Sequence, residues 1–102
     1  MMTKIDVGRA YSKTPFGRYR TDGDFSAERF REEYLKPGLE QGDTLEIDFT
    51  AVALGVGSSF LEEAFGGLVR QGFAKNELLD RLVIKAKEDF YTEQVKNFIE
   101  VA

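Results

Sequence analysis

Apolar residues recur along this chain with two different periods, and the switching between them predicts alternating strands and helices. Ile5, Val7 and Tyr11 share one face of a short strand over residues 4–11, with Arg9 the exception. Residues 12–23 are polar and glycine-containing, a loop with room for a second short strand over 16–20. Ser26 reads as a helix N-cap, with Glu28 in the first turn where the dipole favours a negative charge. Ala27, Phe30 and Tyr34 follow at helical spacing, and Pro37 and Gly38 are the expected stop. Gly42 and Asp43 make a turn.

Leu45, Ile47 and Phe49 alternate with Glu46, Asp48 and Thr50, which predicts a strand with one wet face. Val52, Leu54 and Val56 take up the opposite phase, so a bulge or strand end is expected near Ala51. Gly55 and Gly57 mark a tight corner, and a second helix runs from Ser58 or Ser59 to about Arg70, ended by Gly72. Leu82, Val83 and Ile84 form a continuous apolar run of the kind expected of a buried strand. The last helix starts near Asp89, with Tyr91, Val95, Phe98 and Ala102 on one face.

This order predicts an α/β fold: a mixed, mostly parallel sheet of about four strands, with the helices mainly on one face. Residues 45–84 form a strand–helix–strand unit long enough for a right-handed parallel crossover. No repeat, linker or low-complexity segment interrupts the chain, so residues 1–102 read as one domain.

Composition narrows the chemistry. With 42% hydrophobic and 31% charged residues the balance is that of a globular domain, not a disordered segment. The chain has no cysteine, which excludes disulfides and cysteine-bound zinc. It has no histidine, so the commonest general base and the commonest transition-metal ligand are both missing. Catalysis would have to rest on carboxylates, Lys, Tyr or Ser, and none is clustered in a recognisable way. Asp43, Glu46, Asp48, Asp80 and Asp89 lack metal-loop spacing and read as turn residues and solvated faces. The expectation is a protein that is not an enzyme and carries no cofactor or metal. A net charge of −4 is wrong for sequence-independent nucleic-acid binding. No apolar run approaches the roughly 20 residues that span a bilayer, and Met1 to Ser12 lack an apolar signal core, so the expected compartment is the cytoplasm.

The most informative stretch is Gly55-Val-Gly-Ser-Ser-Phe-Leu-Glu-Glu-Ala-Phe-Gly-Gly-Leu68. Ser59 and Glu62 have capping-box spacing, which by itself explains both residues. The functional alternative makes Ser58 or Ser59 a phosphorylation or docking site, because a helix N-terminus welcomes phosphate. Glu62 and Glu63 would oppose that charge by about as much as the dipole favours it. A P-loop is ruled out by the missing G-K-[ST], and a nucleophile elbow by Phe60 and the absent histidine. Gly66 and Gly67 each cost about 1 kcal/mol inside a helix, so they mark either close packing on the sheet or a flat surface for a partner. In Phe16-Gly-Arg-Tyr-Arg-Thr-Asp-Gly23, Arg18 and Arg20 could bind an anion; otherwise they pair with Asp22 or Asp24.

Over residues 45–68 the chain resembles STAS domains, the fold of anti-sigma factor antagonists and of the cytoplasmic tails of sulfate transporters. Leu45-Glu-Ile-Asp-Phe-Thr-Ala-Val52 matches the strand that in that family leads into Asp-Ser-Ser-Gly-Leu, and Gly57-Ser-Ser-Phe-Leu61 stands in the motif's place. More closely, the run from Arg18 through Leu68 resembles a bacterial family of small STAS-like domains of unknown function, a likeness reaching to Ala102. The resemblance implies phosphorylation at Ser59 by a histidine-kinase-like ATPase partner, with release of that partner. The family's aspartate is Gly57 here and its following glycine is Phe60.

Three functions follow as expectations: a partner-switching regulator, a docking or scaffold module with no phosphorylation, within a larger assembly or as a homodimer, and a small-ligand or nucleotide sensor at the glycine corner. The partner-facing surface is expected at Gly55, Gly57, Ser58, Ser59 and Phe60 with the side of the helix bearing Glu62 and Glu63. Phe60 is there a partly exposed anchor; the alternative buries Phe60 and leaves Ser59 as a cap.

Overall fold

The computed structural model describes residues 2–53 and 55–102, and Leu54 of the Val52–Val56 pattern lies outside them. In chain order the elements are β1 (Met2–Asp6), α1 (Val7–Ala10), a 3-10 turn (Arg20–Asp22), α2 (residues 27–41) and β2 (Thr44–Asp48). Then come α3 (residues 58–70), α4 (Lys75–Arg81), β3 (Leu82–Lys85) and α5 (Phe90–Val101). Among the described residues three strands form one all-parallel sheet in the order β1-β2-β3. The expected fourth strand at 16–20 is instead loop leading into the 3-10 turn.

Register decides what the sheet buries. Ile5, Ile47 and Ile84 stand side by side, as do Thr3, Leu45 and Leu82. In-register residues of parallel strands share a face, and this face carries the core. Parallel neighbours are joined by right-handed crossovers almost without exception. Two successive steps in the same direction therefore stack the intervening helices on one face. The other face stays open: Met2 is 59% and Val83 43% exposed there, among Lys4, Glu46 and Lys85. Val83 thus corrects the expectation of a buried strand; β3 is an edge with one open side. Asp48, expected on the wet face, is buried. Burial raises its pKa, but hydrogen bonds from the Thr50 N–H (2.8 Å) and hydroxyl (2.6 Å) outweigh this and lower it overall.

The first strand ends sooner than the pattern suggests. From Val7 the backbone coils into one helical turn, and the Val7 carbonyl accepts from both Tyr11 and Ser12. This keeps Val7 and Tyr11 buried and leaves Arg9 outside, paired with Asp6 at 3.3 Å. Gly8 lets this turn lie against the chain that follows β2, since a Cβ there would fall on the carbonyl group of Ala51.

Helix α2 runs through its expected stop. It is α-helical over Ala27–Phe30, π-helical over Arg31–Leu35 and α-helical again over Lys36–Gln41. The wide turn lies just before Pro37, whose ring would otherwise strike the carbonyl four residues back. The Lys36 N–H reaches five residues back to Arg31. Gly38 lets the helix approach β2, because a Cβ would stand 2.8 Å from Leu45 Cδ1. The helix ends where the Arg81 guanidinium takes the carbonyls of Leu39, Gly42 (2.7 Å) and Asp43 (3.0 Å). That arginine sits on α4, an element the apolar pattern does not announce: among its residues only Leu78 is buried. In α5 the buried stripe is Val95 and Ile99, with Tyr91 and Phe98 half-buried beside it. No described helix is long and apolar enough to cross a membrane.

The glycine contacts predict a ranking. Gly8→Ala meets backbone that cannot yield, whereas Gly38→Ala meets the tip of a leucine side chain. Thermal unfolding should show Gly8→Ala as the more destabilising, by about 1–3 kcal/mol or more, and Gly38→Ala as milder.

Candidate functional site

The starts of α2 and α3 are built in opposite ways. A helix begins with backbone N–H groups that have no partner inside it. At α2 these donors are accounted for in turn. Ala27 donates to the Gly17 carbonyl and Glu28 to the Arg18 carbonyl, both at 2.9 Å. Arg29 donates to Ser26 Oγ at 3.3 Å and Phe30 to the Ser26 carbonyl at 3.1 Å. The Ser26 carbonyl also receives the Tyr11 hydroxyl at 2.7 Å. Burial pushes that phenol up to about 12, so it remains a donor. Ser26 therefore caps as expected, and residues 16–25 are clamped onto the helix it opens.

At α3 the N-cap is Gly57, with no side-chain cap, and Ser58 and Ser59 are exposed in the first turn. The expected Ser59–Glu62 capping box is absent. Glu62 is drawn away by two guanidinium groups: its Oε1 accepts from Arg18 at 2.7 Å and its Oε2 from Arg70 at 2.6 Å. The N-cap also lies two residues before Ser59, at Gly57, so Ser59 is the second residue of the helix and cannot serve as the N-cap of such a box.

Arg18 comes from the loop and Glu62 from the helix, so the two segments singled out by sequence meet. Between them lies a groove of about 310 Å³, lined by Pro15, Phe16, Gly17, Arg18, Ser59 and Phe60. Phe16 stands at its rim, 74% exposed. The loop backbone around it is hydrogen-bonded: the Phe16 N–H donates to the Phe25 carbonyl at 3.0 Å, and Asp22 accepts from the Arg18 and Tyr19 N–H groups at 3.1 and 3.0 Å. Asp22 thus organises the loop instead of neutralising an arginine. Arg20 pairs with Glu33 at 3.1 Å, and both cations expected to bind an anion are already held by carboxylates.

Several expected interface residues turn inward. Phe60 is 2% exposed, its ring 5.9 Å from that of Phe30, so it is a core residue and not a protruding anchor. Glu63 is buried, and Glu62 is mostly covered by its arginines. Gly55 belongs elsewhere: a Cβ there would stand 2.5 Å from the Tyr91 hydroxyl, which accepts from the Val56 N–H at 3.1 Å. That hollow, about 230 Å³ between Phe49, Val56, Ala86 and Tyr91, is separate from the Ser59 groove.

Beneath the groove lies a residue that the apolar pattern does not single out. Arg31 is buried, and its Nη1 donates to the Glu63 carbonyl and to Glu63 Oε2, both at 2.8 Å, while Nε donates to Glu32 at 2.9 Å. Gly67 leaves room for it, since a Cβ there would collide with the guanidinium. Gly67 marks close packing against an arginine of α2, while a Cβ at Gly66 would meet Glu62 Oε2 and Arg70 Nη1 of its own helix. The presence of both glycines in an apolar helix was the available signal; which side chain fills the space was not. Glu32 is pushed up by burial, yet hydrogen bonds from Lys36, Arg31 and Gln71 outweigh this and hold it at about 2. Glu62 is held below the usual carboxylate range first by Arg70, against burial, with Arg18 adding to it.

Among the described residues no cluster of three acidic side chains is placed to hold a metal ion. A family model described as a STAS-like domain of unknown function matches residues 26–89, from the Ser26 cap to the start of α5 and including Ser58 and Ser59. The loop bearing Phe16, Arg18 and Arg20 precedes that span. No curated protein and no solved structure matches the chain.

Two outcomes test this geometry. By chemical denaturation Ser26→Ala should cost about 1 kcal/mol, within 0.5–2, and Ser59→Ala less than about 0.5. The acid limb of stability should also report the arginine network. Glu32 has a folded value of about 2 against an ordinary 4.5. Its contribution is therefore complete above 4.5 and lost as pH falls through that range towards 2. Glu32→Gln should flatten the loss measured by unfolding curves at successive pH values.

Proposed function

Because the chain belongs to the family of STAS-like domains of unknown function, we propose that it is a regulatory protein-docking module whose switch is the first turn of α3. One observation carries this reading: Ser58 and Ser59 are exposed at a helix start, and no side chain caps that start. The fold has no structural use for the Ser59 hydroxyl, although it spends a serine on capping α2.

Charge supports the same reading. With Glu62 held by Arg18 and Arg70, and Glu63 by Arg31, the two carboxylates that would repel an incoming phosphate are neutralised. The helix dipole then acts almost unopposed, favouring negative charge at this turn by about 0.3–1 kcal/mol. The proposed partner is a histidine-kinase-like ATPase, which would bind the unmodified corner and be released when Ser59 is phosphorylated. In this role the module performs no turnover, and a chain without histidine or cysteine is consistent with that.

Isothermal titration against a histidine-kinase-like ATPase encoded beside this chain tests the reading, with melting curves alongside. Wild type and Ser59→Ala should bind alike, and Ser59→Asp should lose at least about tenfold in affinity at unchanged stability. Equal binding by all three would remove Ser59 from any regulatory role.

A further inference from the structure

Phe16 is the most exposed large apolar side chain among the described residues, at 74%. The backbone that carries it is tied down. Its own N–H is tied to Phe25, and the two residues after it give their carbonyls to the first turn of α2. Gly17 holds a positive φ of 92°, a conformation that favours glycine, so the chain turns sharply just after the ring. An exposed aromatic on a held backbone is the kind of group that anchors protein interfaces.

The groove of about 310 Å³ opens directly beside it, with Pro15, Gly17, Gly57 and Phe60 supplying apolar wall and open space. Nothing lies within 4 Å of where a Gly57 Cβ would be. A projecting ring and a hollow able to receive one therefore sit next to each other on the same surface. An unrelated partner would have to offer a matching hollow and ring in the reversed arrangement. A second copy turned by a two-fold axis offers both at once.

Charge permits that approach even though the chain carries −4. Arg18, in the groove wall, and Arg70 beside it pair with Glu62, and Asp22 adds a carboxylate to the wall, a surface of mixed sign that does not repel its own image.

We propose that the chain forms a two-fold homodimer in which each Phe16 ring enters the groove between Pro15 and Ser59 of the other copy. The proposal rests on the geometry of the groove and not on the identity of the ATPase partner. Burying the groove covers Ser59, so self-association and partner binding compete for one surface.

Sedimentation velocity over a concentration series tests it on the whole chain. Wild type should show a concentration-dependent dimer. Phe16→Asp should raise the dissociation constant by about thirtyfold or more. Because the ring is mostly exposed in one chain, melting temperature measured at concentrations where wild type is monomeric should hardly change. Phe90→Asp, at an aromatic 53% exposed outside the groove, should leave the dimer intact. A wild type that stays monomeric to millimolar concentration overturns the proposal, and so does a dimer indifferent to Phe16→Asp or equally sensitive to Phe90→Asp. The ATPase titration separates the two readings. A monomer that still binds the ATPase in a Ser59-dependent way leaves docking standing and removes the homodimer. A Phe16-dependent dimer with no ATPase binding does the reverse.

Discussion

The buried contact between Arg31 and Glu63 is the constraint on which the upper layer of this molecule depends. Taking two charges out of water costs several kcal/mol per ion, recovered only when nearly every donor and acceptor finds a partner. Arg31 meets that demand with Glu32, the Glu63 carboxylate and the Glu63 carbonyl. To do so the guanidinium must lie against the backbone of α3, which only glycine at position 67 allows. Both helices carry a π-helical segment at this level, over Arg31–Leu35 and Glu62–Gly66. Wide turns of this type are frequent at functional sites. Here they bring the pair and its neighbours into one layer.

The surface above inherits its properties from that layer. With Glu63 turned inward, Glu62 is left to bridge Arg18 and Arg70, and Arg18 brings the Phe16 loop against the start of α3. The groove is thus bounded by a hydrogen-bonded loop on one side and by the core residue Phe60 on the other. The serines of α3 are left without structural employment.

The sheet sets the larger frame. Three parallel strands in sequential order place the crossover helices on one face, so the domain has a packed side and an open side. The groove lies on the helical side, away from Met2 and Val83. The hollow around Tyr91 follows the strand ends of β2 and β3 and is separated from the groove by the turn through Gly57.

Elements whose buried face repeats with a clear period were legible from sequence alone: β2 from Leu45, Ile47 and Phe49, α3 from its wide apolar arc, and α5 from Tyr91, Val95 and Phe98. The Ser26 cap was legible too, because capping is local and needs only neighbouring residues. The α/β class and the parallel β2–β3 crossover followed from element order. Tertiary structure decided the rest, wherever a polar or special residue had a choice of distant partners. Glu62 could cap Ser59 or pair with an arginine 44 residues away, and the start of the helix at Gly57 with two arginines in reach settled it. Pro37 and Gly38 could stop a helix, yet a wide turn and a leucine contact kept it going. Gly66 and Gly67 announced close approaches without naming the Glu62–Arg70 pair and Arg31, which supply them. Periodicity encodes which face is buried. It does not encode what lies against that face, because the free energy of a buried charge or a close backbone contact belongs to the pair and not to either residue.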